Sequence, residues 1–270
     1  MSLRDLADHK PTTVPALIGQ GVLVADIERV QGVATIPFWD LGDYRNRRIH
    51  PDTVTAWPRT VCAASKWYGE PSSVQFVAEW KRGGYEKMMD KLWHRLDKAQ
   101  IVVGHNWVKF DDKKLNSAFL ELGWPAPSPY KIVDTLKVAW GVFGFESNTL
   151  DALTKRLGIQ SKTGHYSADT ANAAVAGDKA ARAEIETYNI GDIVATEGLY
   201  DYLRPWIKNH PHNANGSTDK PVCNRCWEGN FRRQGVVLAT VISYTGYRCS
   251  LCGGNLKTTA HHRAATVRGA

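Results

Sequence analysis

Four of the five cysteines stand in two Cys-x-x-Cys pairs, Cys223/Cys226 and Cys249/Cys252, separated by 22 residues near the C-terminus. Pairs spaced in this way can place four thiolates around one tetrahedral ion, and the pattern matches a four-cysteine zinc site. The constraint is severe, because the surrounding segment of about fifty residues is too small for a strong hydrophobic core and needs a staple. Between the pairs, Val236–Tyr244 is a β-prone run, and Cys252-Gly253-Gly254 offers a tight turn. Four cysteines leave no open coordination position, so a zinc ion held there is structural. A redox dithiol is the alternative chemistry for such pairs.

The same segment carries the charge. The chain of 270 residues has a formal net charge of +7, from 34 Lys and Arg against 27 Asp and Glu. From Lys220 onward eight basic side chains face a single acid, Glu228, so the whole excess lies there and residues 1–219 are neutral overall. A localised basic unit suits capture of nucleic acid; docking a protein partner, or solubility alone, are the plainer readings. Lys208–Pro221 is polar, holds Pro211 and Pro221 and has no periodicity. The expected organisation is therefore a body over residues 1–207, a linker over 208–221 and a small unit over 222–270. No apolar run is long enough to span a membrane, and the opening MSLRDLADHK has no apolar signal region. The expectation is a soluble protein of the cytoplasm, in a bacterial or phage-infected cell.

Along the body, Val22–Ile27 is an apolar, β-branched run that predicts a buried central strand. Residues 31–59 have no clean period and three prolines, which argues for an irregular excursion. Its Phe38, Trp39, Tyr44, Arg45, Arg47 and Arg48 suit single-strand stacking and phosphate contact, or an ordinary packed loop. Thr60–Tyr68 and Val74–Trp80 read as a hairpin. Tyr85–Lys98 reads as a helix with Met88, Leu92, Trp93 and Leu96 on one face. Ile101–Val103 reads as a strand, Asp111–Leu122 as a helix, and Ile132–Val138 as a short extended segment or the start of a helix. Thr149–Leu157, closed by Gly158, the alanine-rich Thr170–Ala181 and the long Ala180–Ile207 are helical. Strands first and helices later point to an α/β fold around a mixed sheet.

Three sets of side chains carry chemistry. Asp26 and Glu28 lie two apart at the end of the first strand, so both carboxylates emerge on one face and repel unless a cation sits between them. Asp111 follows Asn106 and Phe110 at a strand-to-helix junction, where an aspartate can also serve as a plain helix cap. Tyr188 and Asp192, four apart, share a helix face, as a core tyrosine and an exposed acid also would.

In this order, Asp26-x-Glu28, Asn106-x-x-x-Phe110-Asp111 and Tyr188-x-x-x-Asp192 resemble the three motifs of the DEDD superfamily of 3′-5′ exonucleases. The similarity is to its tyrosine-bearing branch, which includes the proofreading domains of DNA polymerases, and it runs over roughly residues 20–207. The resemblance implies a ribonuclease-H-like mixed sheet flanked by helices and hydrolysis of nucleic acid with two Mg²⁺ or Mn²⁺ ions. On that pattern Asp26 bridges both ions, Glu28 and Asp192 complete the first site, and Asp111 holds the second. Tyr188 orients the attacking water, and Asn106 and Phe110 contact substrate. The implied partner is single-stranded or 3′-ended DNA. An exoribonuclease of the same superfamily, or a nucleic-acid-binding scaffold that does not cut, are the competing expectations. A sister branch carries histidine in place of the tyrosine; His165 lies 27 residues before Asp192, too far for that pattern. Asp112 adjoins Asp111 but misses the Asn-x-x-x-Phe-Asp spacing, and Asp134 reads as a helix cap. The C-terminal unit resembles a zinc ribbon, which implies help with substrate binding or docking to a replication or recombination protein.

Overall fold

Nine residues, Val22–Val30, form β1, the middle strand of the main sheet, with Val22–Val24 fully buried as a run apolar on both faces requires. This computed structural model describes residues 21–37, 49–70, 74–159, 166–212, 221–239, 242–261 and 263–264. The excursion after β1 holds two short paired strands, β2 (Val33–Ala34) and β3 (Val54–Ala56), so it is less irregular than its sequence suggests. Its aromatic and arginine cluster at 38–48 lies outside the described residues, as does His165. Next come β4 (Arg59–Trp67) and β5 (Gln75–Ala78), which form the expected antiparallel hairpin. Helix α1 (Gly84–Lys98) follows, then β6 (Ile101–Gly104), α2 (Asp111–Glu121) and β7 (Lys131–Asp134). The five strands line up in the order β5-β4-β1-β6-β7, antiparallel from β5 to β1 and parallel from β1 to β7.

The two faces of this mixed sheet are covered by different helices. Leu23, Ala25 and Ile27 pack under α1 and α2, against Met88, Met89, Leu92, Leu96, Leu115 and Phe119. Trp93 only borders this core, where its indole N–H donates to the Pro125 carbonyl at 2.8 Å, and Met89 takes the buried position. The segment around Ile132 is both of the things its sequence allows. Strand β7 ends at Asp134, which caps α3 (Thr135–Val142) by accepting from the amides of Leu136 and Lys137. Helix α4 (Leu150–Leu157) is capped by Thr149 and closed by Gly158. The alanine-rich stretch becomes α5 (Ala168–Ala176) and stops earlier than its composition suggests. Gly177, left-handed at φ 109°, ends it, and Asp178 caps the next helix.

That next helix is α6 (Lys179–Leu203), which lies over the other sheet face and packs Ile185, Ile193, Tyr200 and Leu203 inward. A short 3-10 turn, Arg204–Trp206, ends it at Pro205. Arg204 is almost fully buried, yet it donates to the Tyr68 hydroxyl and pairs with Asp201 at 3.4 Å, while Tyr68 itself donates to Asp201 at 2.5 Å. With Lys66–Glu197 at 2.6 Å, these contacts lock the C-terminal half of α6 to β4.

The C-terminal unit is a small antiparallel sheet of β8 (Phe231–Leu238), β9 (Ile242–Cys249), β10 (Asn255–Lys257) and β11 (Arg263–Ala264). The β-prone run Val236–Tyr244 is thus two strands of a hairpin and not one, with Ala239 N–H bonded back to the Ile242 carbonyl. The unit rests on α6. Within the expected linker, His210 is only 3% exposed; its Nε2 meets the Tyr200 hydroxyl at 2.6 Å and its carbonyl accepts from Asn224 at 2.7 Å. Arg225 donates to the Ile207 carbonyl at 2.7 Å. Residues 213–220 lie outside the described residues. Among the described residues, no helix is long and apolar enough to cross a membrane.

Candidate active site and cysteine cluster

Asp26 and Glu28 occupy successive same-face positions of β1, opposite Ala64 and Cys62 of β4, and the strand register shifts just after Glu28. Helix α6 crosses this face and brings Asp192. Carboxylate oxygens of Asp26, Glu28 and Asp192 all lie within 4.8 Å of one another, with Asp192 buried and the other two half-buried. Three anions at that separation repel strongly at neutral pH unless protons or a cation intervene. An all-oxygen donor set suits a hard divalent ion such as Mg²⁺ or Mn²⁺, so the residues present fit such an ion. Tyr188, one turn before Asp192, donates its phenol to that carboxylate; burial and the charges of Asp192, Glu28 and Asp26 push its hydroxyl above its ordinary value. Cys62 lines the same wall, and burial with the nearby acids keeps its thiol neutral.

Asp111 approaches from the other side of β1. Strand β6 pairs with β1 only over Val22–Val24; farther along, the Ile27 amide donates to Asp111 Oδ1 at 3.3 Å. Asp111 is therefore tied to the residue between Asp26 and Glu28, although its oxygens are not part of the three-carboxylate cluster. It is not the helix cap its position allowed, since the N-cap of α2 is Phe110 and Asp111 is the first helical residue. Burial, with the charges of Asp134 and Asp112 adding to it, raises its carboxyl from 3.8 to about 7. A raised value means the protonated form favours the folded state. In Mg²⁺-free buffer this share of stability is complete below about pH 3.8 and is lost as the pH rises through about 7. Thermal melts between pH 4 and 8 should therefore fall less steeply for Asp111→Asn than for wild type; parallel profiles would contradict the assignment.

Asn106 and Phe110 lie on the β6–α2 connection. Asn106 is left-handed at φ 65°, and Asp134 holds that turn by accepting from the amides of Asn106 at 3.0 Å and Val108 at 3.1 Å. Asp134 thus caps α3 and pins the loop at once. Phe110 is 41% exposed beside Asp111. Asp112 turns away and accepts from the Tyr130 hydroxyl at 2.8 Å.

The four cysteine sulfurs also gather within 4.8 Å of one another, Cys223–Cys252 at 3.8 Å and Cys226–Cys249 at 3.4 Å. A tetrahedral zinc with bonds of about 2.3 Å sets sulfurs about 3.8 Å apart, so this donor set fits zinc, and the separations are far beyond a disulfide bond. The two knuckles are built alike. Trp227 and Gly253, each following its Cys-x-x-Cys, are left-handed at φ 61° and 68°, and each donates its amide to the carbonyl of the first cysteine. Glycine is the natural residue there. The strain at Trp227 is offset by packing, since its ring sits edge-on to His210 at 6.4 Å and joins the unit to α6.

Compared with known proteins, residues 60–204, more than half of the chain, match the family RNase_H_2, described as RNase_H superfamily. The chain belongs to the RNase_H superfamily. The match spans Asp111, Tyr188 and Asp192 and begins after β1. No curated protein matches the sequence. Among solved structures, the family B DNA polymerase of the hyperthermophilic archaeon Pyrobaculum calidifontis is similar, at 18% identity and a TM-score of 0.49. The similarity covers 68% of this chain and 24% of the polymerase, so the chain spans about a quarter of that protein.

Two residues at this candidate site escaped the sequence reading. Asn189, fully buried on α6, donates to Asp26 Oδ2 at 2.7 Å. Tyr166 lies against Tyr188, ring centroids 5.9 Å apart, and donates to the Arg29 carbonyl at 2.6 Å. Only Asn189 left a trace in the sequence, as a polar residue inside a helix and between Tyr188 and Asp192. Replacing it with Leu removes the group that orients Asp26. Loss of such a partner costs about 10- to 100-fold in metal affinity or activity. Asn189→Leu should accordingly weaken Mn²⁺ binding at the three carboxylates by about tenfold or more; an unchanged Mn²⁺ affinity would contradict that role.

Proposed function

We propose that this RNase_H superfamily protein is a metal-dependent 3′-5′ exonuclease of the tyrosine-bearing DEDD type, acting on DNA. The observation that carries the reading is the meeting of Asp26, Glu28 and Asp192 within 4.8 Å, with Tyr188 hydrogen-bonded to Asp192. Asp26, Glu28 and Asp192 would hold one ion; Asp26 and Asp111, linked through the Ile27 amide, would hold a second. Bound there, a pair of divalent ions supplies activation of water and neutralises charge on the leaving 3′-oxygen of an in-line displacement. Tyr188 would orient the attacking water through its hydroxyl, and Asn189 would keep Asp26 in place. Asn106, left-handed at φ 65°, and the exposed Phe110, beside Asp111, would contact the terminal nucleotide.

The body over residues 1–207 would carry the chemistry, and the unit over 222–270, with Cys223, Cys226, Cys249 and Cys252 around one structural zinc, would carry substrate or partner binding. Matched single-stranded DNA and RNA labelled at the 5′ end, incubated with Mg²⁺ or Mn²⁺, test the reading. Expected is a ladder of shortened DNA with release of 5′-nucleotides. Intact strands at high enzyme would overturn it, and faster loss of the RNA would reassign the substrate.

A further inference from the structure

The ribbon sheet has two unlike faces. On one, Phe231 stands opposite Cys249 and Tyr247 opposite Leu256, and Phe231 and Leu256 pack with the zinc-site cysteines and Trp227. The other face follows from the same register. Arg232 pairs with Arg248, and two residues along β9 Gly246 pairs with Gly235 and with Lys257. Paired residues share a face and alternate residues repeat it, so Arg232, Arg248 and Lys257 stand together on the side away from the zinc. All three are exposed. Lys257 Nζ lies 4.1 Å over the Tyr244 ring, which holds the ammonium in place on the sheet.

No acid of the unit offsets this patch. Glu228 is the one acid from Lys220 onward, and its carboxylate is turned to the Asn230 amide at 2.9 Å. The cations fall within about 5 Å across the strands and about 7 Å along them. Such a patch can meet successive phosphates of one strand and is too small to meet both edges of a major groove about 12 Å wide. The face is also held at a fixed place on the body, because His210, Arg225 and Trp227 seat the unit on α6. From Asp192 to Tyr200 is about 12 Å along that helix.

We propose that the outward face bearing Arg232, Arg248 and Lys257 binds the phosphate backbone of single-stranded nucleic acid. The inference rests on the exonuclease reading only in taking that strand to be the substrate. Its test is binding without turnover, by fluorescence anisotropy of a labelled single-stranded oligonucleotide in Asp26→Ala protein across a series of salt concentrations. Each phosphate contact on a single strand contributes about 0.7 to the slope of log affinity against log salt. Replacing Arg232, Arg248 and Lys257 with Ala should therefore flatten the slope by about 2 and weaken binding roughly tenfold or more at low salt. Zinc content should stay at one per chain, and the charge-preserving set Arg232→Lys, Arg248→Lys and Lys257→Arg should retain most of the slope. Equal affinity and slope in the Ala set would overturn the proposal and leave the face to a protein partner. A flattened slope beside inactive wild-type enzyme would support this face and sink the exonuclease reading; an unchanged slope beside active enzyme would do the reverse.

Discussion

Asp26→Ala is expected to lower metal-dependent release of nucleotides by about a hundred- to a thousandfold or more, the scale on which removal of one well-placed electrostatic partner acts on a transition state. Asp26 is the carboxylate to choose because it ties the carboxylate cluster to both α6 and the Asp111 side. It shares the oxygen cluster with Glu28 and Asp192, it receives Asn189 at 2.7 Å, and its neighbour Ile27 carries the bond to Asp111. The change should leave the fold intact. Removing one of three mutually repelling acids relieves the metal-free site, so the melting temperature in Mg²⁺-free buffer should hold or rise while activity falls. Stability lost together with activity would make Asp26 a structural residue, and activity retained would place the chemistry elsewhere.

Removing zinc should have the largest effect on structure. Strand β8 has no buried residue, and the unit's buried side chains are largely the cysteines themselves with Trp227 and Arg225. Zinc binding in small Cys-rich units is worth about 10 to 16 kcal/mol at neutral pH, more than a core of this size can supply. Cys223→Ser, or extraction of the metal, should therefore abolish hydrogen-exchange protection of amides in Phe231–Leu238 and Ile242–Cys249. Protection in β1, β4 and β6 should survive, because the body has its own core under α1 and α2. The last turns of α6 should exchange faster, since Tyr200 and His210 lose their cover. Persistent protection of β8 and β9 without zinc would show that side-chain packing, and not the metal, holds the unit.

Local patterns were readable from the chain; contacts over long distances were not. The β-branched run before Asp26 marks β1, the i, i+2 spacing places Asp26 and Glu28 together, and the cysteine pairs mark both knuckles. Gly158 marks the end of α4, whereas the break at Gly177 and Asp178 is hidden inside an alanine-rich run. What escaped reading depends on partners far away in sequence. Asn189 meets Asp26 across 163 positions, and Tyr166 meets Arg29 across 137. The hairpin inside Val236–Tyr244 carries no glycine, proline or asparagine to announce its turn. His210 sits in a polar, proline-containing stretch that reads as linker, and its reason to be buried lies in distant partners, the Tyr200 hydroxyl, the Asn224 amide and the Trp227 ring.

The central claim is that Asp26, Glu28 and Asp192, with Asp111 beside them, form a metal centre. Anomalous diffraction from crystals soaked with Mn²⁺ and a nucleoside 5′-monophosphate tests it most directly. The account predicts one manganese peak among Asp26, Glu28 and Asp192 and a second about 3.5–4 Å away on the Asp111 side. Manganese absent from these carboxylates, or bound only at surface acids, would contradict it.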